Sequence, residues 1–257
     1  MTLSLRVIGC HGGETPKHRT SAFVLDGKLA IDAGSLTSGM TLREQFALEA
    51  AVVSHAHLDH IRDLATIADN RCQGGCAPLP IGATRGTIAT LKKHFFNNKL
   101  WPDFARIPSP EKPTIAWVEL PLEKPVTIGR YTVRAIPVSH TIEAAALIVT
   151  GPGGTIAYSG DRGPTDRLRE VLAEVPDLRA LLMEVSFPNR EQHIATLSGH
   201  HTPQTLITDL KKLELVKELP TMLFHIKPHF QAEVERECAR LRGFNLDVLK
   251  LGDRFKL

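Results

Sequence analysis

Apolar and polar residues alternate from Leu3 to Gly9, the period of a half-buried strand, and the pattern stops at a glycine. The same reading predicts short strands at Phe23–Leu25 and Leu29–Asp32, joined by an Asp26-Gly27 turn. Ala51–Ser54 is an apolar run that breaks off in a histidine-rich segment, after which the spacing from Ile61 to Ala68 becomes helical. Thr84–His94 predicts a helix, and the four prolines between Trp101 and Pro113 predict an ordered but irregular loop. Val126–Ile128 with Tyr131–Val138, and Ala146–Thr150 with Thr155–Ser159, read as two hairpins about glycine-containing turns. Helical spacing covers Asp166–Glu174, Pro203–Leu213 and Ala232–Arg242, with strands at Ala180–Val185, Met222–His225 and Leu246–Leu251. Strands in clusters, helices between and after them, and no long linker or repeat predict an α+β fold. The expected organisation is a single domain over residues 1–257, two sheets inside and helices outside.

Composition narrows the function classes. Hydrophobic residues make up 42% and charged residues 23%, an ordinary soluble balance. Lys and Arg number 31 against 28 Asp and Glu, and the resulting net charge of +3 is too small to argue for nucleic acid as a partner. The opening MTLSLRVIGCHGGE has no basic stretch followed by a long apolar one, and no apolar run approaches the ~20 residues of a membrane-spanning helix. A cytoplasmic protein without a membrane partner is therefore expected. Four cysteines are too few for a disulfide framework, and Cys72 and Cys76 around Gln-Gly-Gly read as reduced thiols beside a turn. Histidine is the unusual count, at 12.

The sharpest chemical signal is Ser54-His55-Ala56-His57-Leu58-Asp59-His60, directly after an apolar run. Histidines two apart on an extended segment point the same way, so His55 and His57 can hold one cation. The turn that follows can aim Asp59 and His60 at a second. Further donors end three other strand-like runs: His140 after Tyr131–Val138, Asp161 after Thr155–Ser159, and His225 after Met222–Phe224. Each alone would read as a cap, a turn residue or a half-buried core histidine. Three such donors at three strand ends, downstream of the histidine segment, point to a shared metal centre.

The order His-x-His-x-Asp-His, then His, Asp and His, resembles the metal-binding pattern of the metallo-β-lactamase superfamily. That resemblance implies a four-layer αββα sandwich, two mixed sheets flanked by helices, with two divalent cations at one edge. It assigns His55, His57, His140 and Asp161 to the first and Asp59, His60, Asp161 and His225 to the second, with Asp161 bridging. Further blocks resemble the class II cyclic-nucleotide phosphodiesterases: Gly9-Cys10-His11-Gly12-Gly13, Asp32-Ala33-Gly34-Ser35, Phe96-Asn97-Asn98 with Trp101-Pro102-Asp103-Phe104, Glu184-Val185-Ser186-Phe187-Pro188-Asn189, Gly199-His200-His201-Thr202-Pro203 and His225-Ile226-Lys227-Pro228. One departure is His201, where the family pattern has leucine.

The resemblance implies hydrolysis of a 3′,5′-cyclic nucleotide, cAMP first, to the 5′-monophosphate by a hydroxide shared between the two cations. Zinc suits imidazole and carboxylate donors with no thiolate; manganese and iron(II) fit the same ligand types. The leaving oxygen needs a proton, for which His200 is the candidate, held protonated by Glu184; Asp59 is expected to serve both metal and reaction. Asp32 is expected to orient a metal-binding histidine rather than to touch metal. Phe95, Phe96, Asn97, Asn98 and Trp101 read either as a wall for a base or as core packing. The alternatives are a nuclease of the tRNA 3′-processing kind, whose extended basic arm has no counterpart here, and a metal-holding protein without chemistry. The resemblance also allows a homodimer.

Overall fold

The computed structural model describes residues 2–213 and 218–257. The first half of the chain gives strands β1 (Ser4–Gly9), β2 (Ala22–Leu25) and β3 (Leu29–Ile31), short helices α1 (Leu36–Gly39) and α2 (Leu42–Phe46), then β4 (Ala50–Val52). Helices α3 (Leu58–Ile61) and α4 (Leu64–Gln73), strand β5 (Leu79–Ala83) and helix α5 (Arg85–Thr90) follow. Two-residue strands β6 (Pro108–Ser109) and β7 (Lys112–Pro113) pair inside the proline-rich loop, and β8 (Ile115–Glu119) closes this half. The second half runs through β9 (Pro125–Ile128), β10 (Tyr131–Pro137), β11 (Ala145–Gly151), β12 (Gly154–Tyr158), α6 (Asp166–Glu174) and β13 (Leu178–Glu184). It ends with α7 (Gln192–Ser198), α8 (Pro203–Leu210), β14 (Thr221–Phe224), α9 (Gln231–Cys238), β15 (Leu246–Val248) and β16 (Arg254–Lys256).

Two seven-stranded sheets result, in the orders β16-β1-β2-β3-β4-β5-β8 and β15-β14-β13-β12-β11-β10-β9. Each is mixed: β3, β4, β5 and β8 run parallel in the first, and β12 to β15 in the second. Their strands are apolar on both faces because both faces are covered. Phe23 and Leu25 of β2 face the second sheet, whereas Ala22 and Val24 face helices. The central layer joins Val7, Phe23, Leu25 and Ile31 to Tyr131, Leu147, Tyr158, Leu182 and Phe224. Outer layers pack α4 and its neighbours on one sheet, and α6, α8 and α9 on the other. The fold is thus a four-layer αββα sandwich. Among the described residues, no helix is long and apolar enough to cross a membrane.

Several predicted boundaries shift for physical reasons. The Thr84–His94 helix is capped by the Thr84 hydroxyl, which accepts the Thr87 N–H, but it passes after Thr90 into a wider π turn over Leu91–Phe95. The C-terminal predicted helices end early, at Leu210 and Cys238. Strands β5 and β8 escape the pattern reading: Pro80 and Gly82 interrupt the first, and the second emerges from the proline-rich loop.

One residue tests the central layer. Phe23 is fully buried, and its ring lies 5.5 Å from those of Tyr158 and Phe224, which stack on each other across the second sheet. Phe23→Ala is expected to destabilise the protein by about 3–5 kcal/mol, read as a lower midpoint in urea unfolding; an unchanged midpoint would contradict the packing.

Candidate metal centre

The candidate donors sit just beyond the C-terminal ends of strands, where side chains leave the layered core, except Asp59 and His60, which lie on the short helix α3 that follows β4. Asp32 follows β3, His55 lies three residues after β4, His140 and Asp161 lie three after β10 and β12, and His225 follows β14. The two sheets meet at this edge through the bridge His55–Ala144, in which Ala145 N–H donates to Ser54 O at 3.0 Å. Asp32 and His225 both adopt left-handed backbone conformations, with φ of 54° and 71°. Such strain in non-glycine residues concentrates at functional sites.

The seven predicted ligands fall into two groups. His55, His57 and His140 form one, and Asp59, His60, Asp161 and His225 the other, with the donor atoms of each group within 4.8 Å of one another. Asp161 links them: its Oδ2 lies 3.2 Å from His60 Nε2, 3.1 Å from His225 Nε2 and 3.8 Å from His55 Nε2. His225 Nε2 is also 3.3 Å from Asp59 Oδ2. In the first group His57 Nδ1 lies 3.0 Å from His55 Nε2 and 3.1 Å from His140 Nε2.

Groups behind the rings decide which nitrogens carry lone pairs. Gly199 O can only accept, so His140 Nδ1 donates to it at 3.0 Å and Nε2 is left with its lone pair. Ser54 Oγ donates to Asp32 at 2.8 Å, so it accepts from His55 Nδ1 at 3.0 Å. Ser186 Oγ donates to Glu184 and accepts from His225 Nδ1 at 2.9 Å. Asp32 Oδ2 accepts from His60 Nδ1 at 2.6 Å, and the same carboxylate takes the Tyr158 hydroxyl and the Ser54 N–H. Nε2 of His55, His140 and His225 therefore present lone pairs inward, and lone pairs this close repel unless a cation lies among them.

Electrostatics agree. Burial lowers His55 well below the ordinary histidine range, and burial likewise lowers His57, His140 and His225, which keeps these rings neutral. Burial also opposes charge on His60, but Asp161 and Asp32 on either side more than offset it and raise this ring well above its usual value. Against burial, the charge and hydrogen bond of the neighbouring His60 hold Asp161 well below the carboxylate range. Two buried carboxylates thus draw positive charge to this point. Asp161 Oδ1 is buried without a hydrogen-bond partner among the described residues. Converging neutral imidazoles, a carboxylate with a free oxygen and no thiolate fit a pair of divalent cations such as zinc.

His200 and Glu184 lie against this cluster. The His200 ring stacks on His225 with centroids 5.2 Å apart, and its Nδ1 is 3.5 Å from Glu184 Oε1 and 3.3 Å from Ser186 Oγ. Burial acts to lower His200, but the Glu184 charge outweighs it and raises this ring above the usual range. Sequence reading missed the supports Ser54, Ser186 and Gly199 O, none of which has a signature of its own. The Phe95–Asp103 segment is used for packing: Phe95 and Phe96 are buried in the outer layer, and Trp101 donates from its indole to Ala65 O at 3.1 Å. Asn97 and Asn98 spend their amide oxygens on the local backbone, at Leu100 and Asp103. Cys72 and Cys76 are free thiols, and neither belongs to a donor group among the described residues.

Two substitutions probe the supports. Asp32→Ala is expected to weaken zinc binding about 10–100-fold in chelator competition, because His60 loses its orienting acceptor. Gly34 has no room for a side chain, since a Cβ there would lie 1.9 Å from Asp59 O. Gly34→Ala should displace the Asp59–His60 turn and lower zinc affinity by a similar factor, about 10-fold or more; wild-type affinity in either variant would contradict the geometry.

Known proteins place the chain. A family described as the beta-lactamase superfamily domain matches residues 33–226. A probable 3′,5′-cyclic-nucleotide phosphodiesterase of Yersinia pestis is 27% identical, over 87% of this chain and 78% of its own. The crystal structure of yeast PDE1 superposes with a TM-score of 0.83 at 19% identity, over 100% of this chain and 99% of that one. That of human tRNase Z, short form, gives 0.71 at 17% identity, over 98% of each chain. These last two likenesses are of fold. The chain belongs to the metallo-β-lactamase superfamily of hydrolases.

Proposed function

We propose that this protein is a metal-dependent phosphodiesterase that opens 3′,5′-cyclic nucleotides, cAMP above all, to 5′-monophosphates. The observation that carries the reading is the pairing of two donor groups through Asp161 with the Glu184–His200 pair alongside. The naming of the Yersinia pestis relative supports the same substrate class. A pair of divalent cations, when bound, supplies Lewis acidity for phosphoryl oxygens and lowers the pKa of water toward neutrality.

His55, His57 and His140 would hold one cation and Asp59, His60 and His225 the other, with Asp161 shared. Asp59 is the more open of the two carboxylates, its side chain 28% exposed against 2% for Asp161. It can therefore accept a hydrogen bond from the attacking water as well as serve as ligand. Lys227, two residues beyond His225, adds a cation whose charge acts to lower His225 and His200. A positive charge there favours a phosphodiester anion over a neutral ester.

His200 is the proton donor in this scheme. Its Nδ1 faces Glu184, so Nε2 is the atom that delivers a proton to the departing 3′ oxygen. The Glu184 carboxylate beside it favours the protonated form of His200.

Purified protein loaded with zinc or manganese should convert cAMP to AMP, and a chelator should abolish turnover. His200→Ala is expected to lower kcat about 10²–10⁴-fold with metal content unchanged. Loaded protein that leaves every cyclic nucleotide intact while trimming a tRNA precursor would replace this reading with the nuclease one.

A further inference from the structure

Behind His200 lies a second polar cluster that the proposed reaction does not use. Arg162 directly follows Asp161 and, at 1% exposed, is the largest fully buried side chain among the described residues. Its guanidinium donates to the Asp209 carboxylate, to Thr165 O at 3.2 Å and to Met183 Sδ at 3.6 Å. Asp209 comes from α8 and is itself 6% exposed. The same carboxylate oxygen that takes Arg162 lies 3.7 Å from His201 Nε2, an atom with no hydrogen-bond partner among the described residues.

His201 is tied down on its other sides. Its N–H donates to Glu184 Oε1 at 2.8 Å, its Nδ1 pairs with the Thr205 hydroxyl at 3.1 Å, and its carbonyl accepts the Ser186 N–H at 3.0 Å. The side chain is fully buried. A leucine at this place, the residue of the family pattern, would keep the two backbone contacts and lose the ring's contacts with Thr205 and Asp209. Lys212 approaches the outer oxygen of Asp209 at 4.0 Å from a half-exposed position, which adds little.

A buried ion pair is weak as a source of stability, because well-packed apolar residues of like volume serve as well or better. Its value lies in fixing geometry. Here one carboxylate reaches the neighbour of Asp161 on one side and the neighbour of His200 on the other. We propose that Asp209 is a positioning residue which, by pairing with Arg162 and packing against the His201 ring, fixes Asp161 and His200 in a single relation to each other. This inference rests on the reading that Asp161 and His200 serve one reaction.

The test uses two variants, Asp209→Asn and the double variant Arg162→Met/Asp209→Leu, with wild type alongside. Removing one partner leaves Arg162 unpaired and costs fold stability, whereas removing both at similar volume keeps the fold. Unfolding midpoint, zinc affinity by chelator competition, and kcat and KM on bis-p-nitrophenyl phosphate are read for each. The double variant is expected to unfold at or above the wild-type midpoint, yet to bind zinc about tenfold more weakly and turn over about tenfold more slowly. Its KM should stay within about twofold of wild type, because the clamp touches no substrate. A folded double variant, or a folded Asp209→Asn, with wild-type zinc affinity and kcat would overturn the proposal. Wild type that binds zinc and cleaves the diester keeps the functional reading standing whatever the variants do.

Discussion

A neutral imidazole offers one lone pair, and the group behind the ring decides which nitrogen carries it. In this protein Ser54 Oγ, Asp32, Gly199 O and Ser186 Oγ stand behind His55, His60, His140 and His225, each engaging the Nδ1 side. All four rings consequently turn Nε2 inward, toward the Asp161 carboxylate and its unpartnered oxygen. Held so, the inward lone pairs of the neutral rings repel one another, and Asp161 Oδ1 has no hydrogen-bond partner among the described residues. A cation relieves both defects at once. The architecture around the site can be understood as what is needed to keep those four acceptors in place.

The supports come from both sheets. Asp32 follows β3 of the first sheet, yet the Tyr158 hydroxyl that completes its hydrogen bonds at 2.6 Å comes from β12 in the second. Tyr158 in turn belongs to the aromatic group of Phe23 and Phe224 in the central layer, and Phe224 directly precedes His225. Packing between the sheets therefore sets the distance between Asp32 and His225, and with it the span of the donor cluster. Glycines contribute by absence: Gly34 admits the Asp59 carbonyl, and Gly199, with φ of 66°, admits His140 against its backbone.

Much of this was legible along the chain. The segment His55–His60 announced itself by density, and His140, Asp161 and His225 by ending apolar runs; the structure brings all of them together. The sandwich followed from clustered strands and from the family pattern. Less visible were the supports, since a serine such as Ser186 becomes meaningful only beside Glu184, His200 and His225, up to 39 residues away. A backbone carbonyl, as at Gly199, leaves no mark in a sequence at all. Strand β5 was hidden because Pro80 and Gly82 violate local preference, while burial between β4 and β8 overrides it. The Phe95–Asp103 block admitted two readings, and the buried rings and locally satisfied amides favour packing.

Anomalous diffraction from crystals soaked in zinc addresses the central claim directly. Two peaks about 3.5–4 Å apart are expected, one among His55, His57 and His140, the other among Asp59, His60 and His225, with Asp161 between them. A single peak, or zinc bound elsewhere with these side chains unmoved, would contradict the account.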